Sequence, residues 1–483
     1  MVFASFEFLF LFLPPFFAVY FLTPFKYRNW VILLFSWAFY AWWRIDFLAL
    51  LVGVTVFTYT IARLMDAAGP QSPRAKTLMI VGLLGNLGVL AYFKYANFGV
   101  STFNQLVGAL GLHPMGWSDI VLPIGLSFYV LQSVSYLVDL RRGDVPVSRS
   151  FLNYAAYKAI FSQLIAGPIV RYAEISNELK QRHHSLRQFG IGGRSFMIGF
   201  AMKVAIADTL SPLVDAAFAL THPTLADGWL AAVSYTLQLY FDFAGYSLMA
   251  IGLARMIGFH FPPNFDNPYL ATSIQDFWQR WHLTLSRFLR DYLYIPLGGN
   301  RAGPVRTYVN LMLVMAIGGL WHGASWNFIL WGVWHGSMLA THRWWSRRRP
   351  RGAPGLPFWL GNAVTMFCVT LGWVLFRAKD LAGAGAVYKG MLGLNGLHLS
   401  EALAWQMMPE QLWFIPLAAA LVYLPPVAEK FGQAWKARAS ADGLLAAGPV
   451  GIAAWTLAPS AGFALATMLL YSRDAVPFLY FQF

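Results

Sequence analysis

Runs of about 20 consecutive apolar residues recur along the whole chain, and no other feature restricts the fold so strongly. A run of that length crosses the hydrocarbon core of a bilayer as a helix, and we count roughly ten to twelve of them. Charged residues make up 12% of the 483 residues, about half of the ~25% that is usual in a soluble chain. The sequence therefore predicts an all-α polytopic membrane protein.

The apolar runs continue without an internal repeat, so we expect a single integral-membrane domain. The first five runs centre near residues 5–24, 29–43, 46–65, 77–98 and 119–139. Later runs lie near 191–220, 228–258, 305–342, 357–376, 412–427 and 444–471. We divide the domain into N-terminal helices (1–150), a central core (151–345) and C-terminal helices (346–483). Absence of repeated halves argues against a transporter built from them.

Basic residues collect in the short loops between the runs, although the net charge of +14 could by itself suggest nucleic-acid binding. Examples are Lys26 and Arg28, Arg141 and Arg142, and the arginine loop at 343–351. Enrichment of basic residues in short loops is typical of the cytoplasmic side of a membrane protein. We therefore expect these loops in the cytoplasm and no nucleic-acid partner. The lone Cys368 excludes a disulfide within the chain.

Two segments are too irregular for simple spanning helices. FSQLIAGPIVRY, from Phe161 to Tyr172, places Gly-Pro in an apolar stretch and predicts a re-entrant or kinked segment that lines a cavity. DFWQRWHLTLSRFLRDYLYIPLGGNR, from Asp276 to Arg301, carries an aromatic and aliphatic stripe at helical spacing and several charges. It predicts an amphipathic helix that lies at the interface or dips into the protein.

A few polar side chains lie within apolar runs, where an unpaired polar group costs several kcal/mol. Asp242 shares a helix face with Gln238, and a carboxylate that bonds to neighbouring helices is the simpler interpretation. Of the ten histidines, His282, His322 and His335 need an explanation. On an unbroken helix, His322 and His335 would lie about 220° apart and would not share a face.

Histidines without a second ligand or a nucleophile motif point to acid–base chemistry. The spacing gives no His-x-x-x-His pair and no cysteine set, so we expect no metal. G-x-S-x-G is also absent, which argues against a serine hydrolase. A neutral, sheltered His322 would accept the proton of a hydroxyl that attacks a thioester or ester carbonyl.

Three segments resemble, in this order, the core of the membrane-bound O-acyltransferase family. They are YFDFAGYSLMAIGLARMIGF, DFWQRWHLTLSRFLRDYLYIPLGGNR and GGLWHGASWNFILWGVWHG. LPIGLSFYVLQSVSYLVDL, AYFKYANF, AGPIVRY and the terminal PFLYFQF extend the resemblance over almost the whole chain. It is strongest to the bacterial branch that acetylates exported polysaccharides, alginate among them.

This resemblance implies a helical bundle around a transmembrane tunnel, in the inner membrane of a bacterium. It implies His322 of the WHG motif as the active-site histidine and His282 of the RWH motif as a second one. The donor would be acetyl-CoA or another acyl thioester from the cytoplasm, with no tightly bound cofactor. Periplasmic acetyltransferase partners would complete the transfer to sugar hydroxyls.

Further site residues are assigned on the same basis. Arg280, Arg287 and Arg290 are candidates for binding donor phosphates, although contact with lipid headgroups explains them equally well. Asn327 is a candidate for orienting the histidine, and Asp242 and Trp321 are further tunnel candidates.

The chain departs from the family pattern at two positions, since Ala244 and Leu248 stand where we expect Ser and Asp. The loss of that acid leaves the histidine motifs intact and leaves the acceptor open. Alternatives within the family are D-alanylation of teichoic acid and acetylation of peptidoglycan or cellulose. A polysaccharide or lipid transporter is the alternative outside it.

Overall fold

The structure is a computed structural model. It describes residues 2–301, 303–350, 355–431 and 448–473, and over these ranges every regular element is a helix. The all-α fold class is confirmed. The motif PFLYFQF, Arg351 and the start of the last predicted run at 444–447 lie outside the described residues.

The N-terminal third consists of α1 (Leu13–Leu22), α2 (Arg28–Ala41), α3 (Ile45–Ala67), α4 (Pro73–Ala109), α5 (Leu126–Arg142), α6 (Phe151–Ala159), α7 (Phe161–Leu164) and α8 (Tyr172–Ile175). The central part contains α9 (Leu186–Ala201), α10 (Asp208–Phe218), α11 (Leu225–Met256), α12 (Ile274–Trp278), α13 (Leu283–Leu289), α14 (Pro304–His322) and α15 (Trp326–Arg348). It is followed by α16 (Phe358–Arg377), α17 (Leu381–Met391), α18 (Glu401–Ala404), α19 (Pro409–Phe431) and α20 (Gly448–Ser472). Turns of π-helix occupy Glu7–Phe12, Met202–Ala207 and Arg290–Tyr294.

The predicted apolar runs lie on helices, with one clear shift of boundary. The run predicted over 119–139 becomes a helix only from Leu126, because the chain turns at Gly125 with φ +78°. A Cβ at Gly125 would lie 2.2 Å from the carbonyl oxygen of Leu164. This close approach by the end of α7 leaves room only for glycine at the turn, and the helix begins after it.

The segment Asp276–Arg301 is not one amphipathic helix, so that prediction is wrong. It forms α12, a turn, α13 and a π-helical turn. The break lies at His282, whose φ of 43° is left-handed and incompatible with a continuous helix. The predicted stripe is therefore divided: Trp281 packs against Trp373, while Leu285 joins another cluster around Trp321.

The apolar block 305–342 is a helical hairpin, since α14 ends at His322 and α15 begins at Trp326. The two helices pack through glycines: a Cβ at Gly319 would lie 2.1 Å from Phe328 O, and one at Gly332 would lie 2.2 Å from Met315 O. Because the helix is broken, the 220° separation expected for an unbroken helix does not apply to His322 and His335.

The Gly-Pro segment behaves as predicted. After the short α7, residues 165–171 have no regular structure, yet all but Arg171 are buried. Non-helical backbone at this depth is tolerated only where protein or a cavity surrounds it.

Hydrogen bonds join the predicted cytoplasmic loops on one face of the molecule. Gln71 Nε2 donates to Arg141 O at 2.8 Å, and Tyr59 Oη donates to Arg149 O at 3.0 Å. Asn29, beside the first basic loop, donates to Asn153 at 2.8 Å. We call this side the basic face. The opposite side includes the turn after α2 and the loop between α4 and α5.

Within the described part of the chain, four helical stretches are long and apolar enough to cross a membrane by themselves: Ile45–Ala67, Pro73–Ala109, Leu186–Phe218 and Phe358–Arg377. Shorter apolar helices occupy Glu7–Leu22, Pro409–Leu424 and Thr456–Ser472. The chain is thus a multi-pass helical membrane protein. The number of ten to twelve crossings stays a prediction, since length and hydropathy alone select fewer.

Helices α9 and α11 approach most closely at two pairs of glycines seven residues apart. A Cβ at Gly199 would lie 2.4 Å from Gly245 O, and a Cβ at Gly252 would lie 2.5 Å from Gly192 O. Small residues at such crossings let helix backbones pack directly, which is a main source of association within membranes. This crossing holds α11 in place beneath the site described below.

Gly245→Ala should therefore destabilise the fold. The added methyl meets backbone rather than a flexible side chain, and overpacking of this kind costs about 1–3 kcal/mol. Gly88→Ala on α4 is the matched control, because nothing lies within 4 Å of a Cβ there. Thermal unfolding in detergent, followed by size-exclusion chromatography, should show a lower midpoint for Gly245→Ala alone. Equal midpoints would contradict the packing described here.

Candidate active site

His322 is the last residue of α14, directly before the break in the hairpin. Gly323 is extended, with φ −157°, and Ser325 is the N-cap residue of α15. The His322 side chain is buried, with Trp331 and Phe376 rings each 5.2 Å from its own ring. The sequence thus ends a helix inside the protein and presents an imidazole at that end.

His282 occupies the left-handed turn before α13, and a network around Asn264 holds it there. His282 Nδ1 lies 3.0 Å from Asn264 Oδ1, which also accepts a 2.8 Å hydrogen bond from Thr284 Oγ1. The Asn264 amide donates to Ser247 Oγ on α11 at 3.0 Å. Since an amide oxygen only accepts, this contact assigns the proton to Nδ1. His282 Nε2 has no partner among the described residues.

The structure brings these two histidines together from segments 40 positions apart in sequence. Their ring centroids are 6.4 Å apart, and both side chains are at most 4% exposed. Phe243 of α11 closes the other side of His282, with 4.7 Å between ring centroids. The pair is enclosed mainly by aromatic rings.

His335 lies in the same aromatic layer but one turn deeper along α15. Its ring is 4.9 Å from Trp331 and 5.2 Å from Trp278. Neither ring nitrogen has a hydrogen-bond partner among the described residues, and the side chain is fully buried. Trp331 therefore separates His335 from His322.

A cavity of about 980 Å³ reaches His322. It is lined by Trp43, Phe93, Lys94, Asn97, Phe98, residues 120–128, Ile165, Trp321, His322, Ala324, Ser325, Phe328 and residues 377–379. Most of these belong to helix ends and loops opposite the basic face. The cavity thus leads from the side away from the basic loops towards the histidine.

Lys94 is the site residue that the sequence analysis missed. It lies in the apolar run of α4, is 9% exposed, and its Nζ donates to the carbonyl oxygens of Trp321 and, at 3.1 Å, His322. The signal was present, because a lone cation inside an apolar run indicates a functional position by default.

The three candidate arginines do not form one group. Arg287 pairs with Glu174 at 3.4 Å and Arg290 with Asp291 at 2.7 Å. Both lie on the basic face, since Arg142 donates to Asp291 O at 2.9 Å. Arg280 instead pairs with Asp276 at 2.7 Å, near the start of the segment Asp276–Arg301.

The remaining candidates lie apart from the histidine pair, with one exception. Asp242 pairs with Lys203 at 3.0 Å, and Lys203 also contacts Asp208 at 2.5 Å, so the carboxylate belongs to a buried ion cluster outside the cavity lining. Asn327 Nδ2 donates to Ala378 O at 2.8 Å and thereby ties α15 to the end of α16. Trp321 does line the cavity, 5.0 Å from the His322 ring.

In the part of the chain that the structure describes, no group of three or more His, Cys, Asp or Glu side chains is arranged to hold a metal ion. The site consists of nitrogen bases and cations within an aromatic shell.

Comparison with known proteins identifies the family. The family model of the membrane-bound O-acyltransferases matches residues 123–379, which include both histidines, α5 and the whole hairpin. The chain therefore belongs to the membrane-bound O-acyltransferase family, and it is an O-acyltransferase. The transporter alternative is not supported.

Named relatives cover different shares of the chain. It is 45% identical to a "probable alginate O-acetylase AlgI" of Azotobacter vinelandii, over the full length of both. It is 38% identical to a peptidoglycan O-acetyltransferase of Helicobacter pylori, over 82% of this chain and 81% of that one. A teichoic acid D-alanyltransferase of Streptococcus thermophilus is 27% identical, over 52% of this chain and 68% of that one.

The position of the cavity makes a prediction about access. In a Cys368→Ser background, Ser325→Cys should react quickly with a membrane-impermeant thiol reagent applied opposite the basic face. Ser325 lines the cavity and makes no capping hydrogen bond, so the exchange costs little. The fully buried Ser234→Cys on α11 is the control and should react slowly. Labelling should be followed in sealed vesicles of both orientations; faster reaction from the basic face would contradict the assignment.

Proposed function

We propose that this chain moves an acetyl group from a cytoplasmic thioester towards an exported polysaccharide of the alginate type. The observation that carries the proposal is the buried histidine pair, with His322 in the wall of a cavity that opens away from the basic face. Full-length identity of 45% to the alginate relative supports this acceptor over peptidoglycan or teichoic acid. We place the chain in the bacterial inner membrane, with the basic loops in the cytoplasm.

The charge of the cavity favours an acidic acceptor. Its lining includes Lys94, Arg377 and Lys379 and, among the described residues, no carboxylate. Arg377 pairs with Asp215 outside the lining, whereas Lys94 and Lys379 have no carboxylate partner among the described residues. Uronate carboxylates, or an acidic partner protein in the periplasm that hands the acetyl group on, would be attracted to such a surface.

His322 would act as the general base. It takes the proton of the acceptor hydroxyl while the hydroxyl oxygen attacks the thioester carbonyl and forms the new C–O bond. Collapse of the tetrahedral oxyanion breaks the C–S bond, and the departing thiolate receives the proton from the imidazolium. Atoms and charge balance without a metal or a covalent enzyme intermediate.

The geometry of His282 limits the role that this side chain can take. With Nδ1 donating to Asn264, a neutral His282 accepts at Nε2 and cannot donate to an oxyanion. We therefore assign His282 to orienting the acceptor hydroxyl or the protonated His322. The indole N–H of Trp321, which has no acceptor among the described residues, is the better candidate for the oxyanion.

The donor would approach from the basic face along α13. His282 precedes that helix and Arg290 follows it, so about 12 Å of helix separates them. Arg287 and Arg290 would contact the phosphates of acetyl-CoA at the mouth, while the thioester reaches the histidine pair. Arg280, held by Asp276 elsewhere, is the weakest of the three candidates.

Replacing His322 with Ala should abolish transfer, because a general base contributes about 10²–10⁴-fold. The measurement is ester-linked acetate on exported polysaccharide, with the amount of membrane-inserted protein determined in parallel. His335→Leu is the matched control: it removes a buried imidazole of the same layer that makes no hydrogen bond among the described residues. It should retain substantial activity. Undiminished acetylation by His322→Ala would refute the proposal.

Arg287→Gln and Arg290→Gln should raise KM for acetyl-CoA by about three- to tenfold and leave kcat nearly unchanged, since partly exposed charge contacts are modest. Added salt should reduce the difference. Arg306→Gln, an exposed arginine at the start of α14, is the control. Unchanged KM in both variants would remove these arginines from the donor site.

A further inference from the structure

The end of α14 that carries His322 is capped by side chains of α4. The last four carbonyl groups of any helix have no partner within it. Here Gly323 N reaches Gly319 O at 3.4 Å, and Tyr95 Oη donates to Leu320 O at 3.0 Å. Lys94 Nζ donates to the two that remain, Trp321 O and His322 O.

The charge of Lys94 is balanced by backbone carbonyl groups rather than by a carboxylate. Its described contacts are the two carbonyl oxygens, Ser127 Oγ at 3.5 Å and the face of the Trp321 ring at 5.6 Å, with no carboxylate among them. A helix C-terminus carries about half a negative charge, so the ammonium lies where the helix dipole stabilises it. The cation and the helix end therefore stabilise each other.

We infer that Lys94 is a positioning residue for His322. Both of its strong hydrogen bonds end on the residue that bears the imidazole and on the residue before it. Because the chain leaves the helix at Gly323, no further turn of α14 holds this backbone. Lys94 thereby fixes the direction in which the His322 side chain leaves the helix, and a displacement of about 1 Å at such a site costs about 10²-fold in rate.

The motif around Lys94 supports this role. Asn97 accepts from Ile120 N at 3.0 Å and donates to Ile120 O at 2.9 Å, which holds the cavity loop. Phe98 packs against Trp326, the first residue of α15, with ring centroids 5.6 Å apart. The segment YFKYANF thus ties both sides of the hairpin break and the rim of the cavity to one helix.

The alternative role is direct binding of an anionic substrate, because Lys94 also lines the cavity. The two roles separate in kinetics. A positioning residue changes kcat, whereas a substrate-binding cation changes KM. The inference rests on the proposed function of His322, so the experiment includes a readout that does not depend on catalysis.

The experiment compares Lys94→Met, Lys94→Arg, Tyr95→Phe and the control Lys76→Met, an exposed lysine on the same helix. Full-length protein in nanodiscs is assayed with varied acetyl-CoA and varied mannuronate oligosaccharide. Hydrogen exchange of the peptide 317–326 is measured by mass spectrometry on the same samples.

We expect Lys94→Met to lower kcat about 10²-fold while both KM values stay within about threefold, and to speed exchange in that peptide. Lys94→Arg should restore most of kcat, Tyr95→Phe should have a small effect, and Lys76→Met none. If Lys94→Met does not accumulate in the membrane, Lys94→Gln is used instead, because its amide can donate to one carbonyl. It should lower kcat and speed exchange in the same peptide, by smaller amounts.

A rise in KM for the oligosaccharide, with kcat and exchange unchanged, would overturn the inference in favour of substrate binding. Unchanged kinetics and exchange would overturn it altogether. Faster exchange in Lys94→Met, together with an active His322→Ala variant, would keep Lys94 as the cap of α14 and refute instead the proposed role of His322.

Discussion

A helix that ends inside a membrane protein must still have its last carbonyl groups hydrogen-bonded, and this requirement governs the site. The end of α14 is buried beside Lys94 at the inner end of the cavity, so side chains of α4 rather than bulk water satisfy its last carbonyl groups. Lys94 and Tyr95 meet that requirement from α4, and Gly323 turns the chain back into α15. The same arrangement creates the hairpin, places His322 at its turn and gives the cavity one of its walls.

Much of the fold could be predicted because hydrocarbon imposes a simple pattern. The predicted runs at 29–43, 46–65 and 357–376 coincide closely with α2, α3 and α16, since each needs only to be long and apolar. The Gly-Pro segment was also recognisable, because few residues permit non-helical backbone at that depth. Periodicity failed where tertiary contacts break a helix. The turn at His282 depends on Asn264, 18 positions earlier in the sequence, and no local pattern reveals that contact.

The two histidines of the candidate site could be predicted from the sequence, but the residues that hold them in place could not. His322 and His282 stand out as polar groups in apolar or aromatic surroundings, and the motifs around them are short and specific. Lys94 and Asn264 act through hydrogen bonds to distant backbone or side chains, so their sequence neighbourhoods say nothing of their targets. Asp242 is the opposite case, because an acid within an apolar run is easily noticed in the sequence as a candidate. Its partner Lys203 lies 39 positions away on a π-helical turn, and the ion pair between them gives Asp242 a structural role.

The unequal dimensions on the two sides of His322 have a consequence for how such enzymes diversify. The outer cavity, at about 980 Å³, is far larger than a two-carbon group, whereas rings pack within 5.2 Å of the imidazole on its inner side. For the proposed acetyl transfer, selectivity for a small acyl chain would then arise from the tight aromatic layer, and tolerance for a bulky recipient from the wide cavity. Mutations in the rim loops would then redirect the recipient without disturbing the aromatic layer. Two kinds of evolutionary change are thereby uncoupled within one domain.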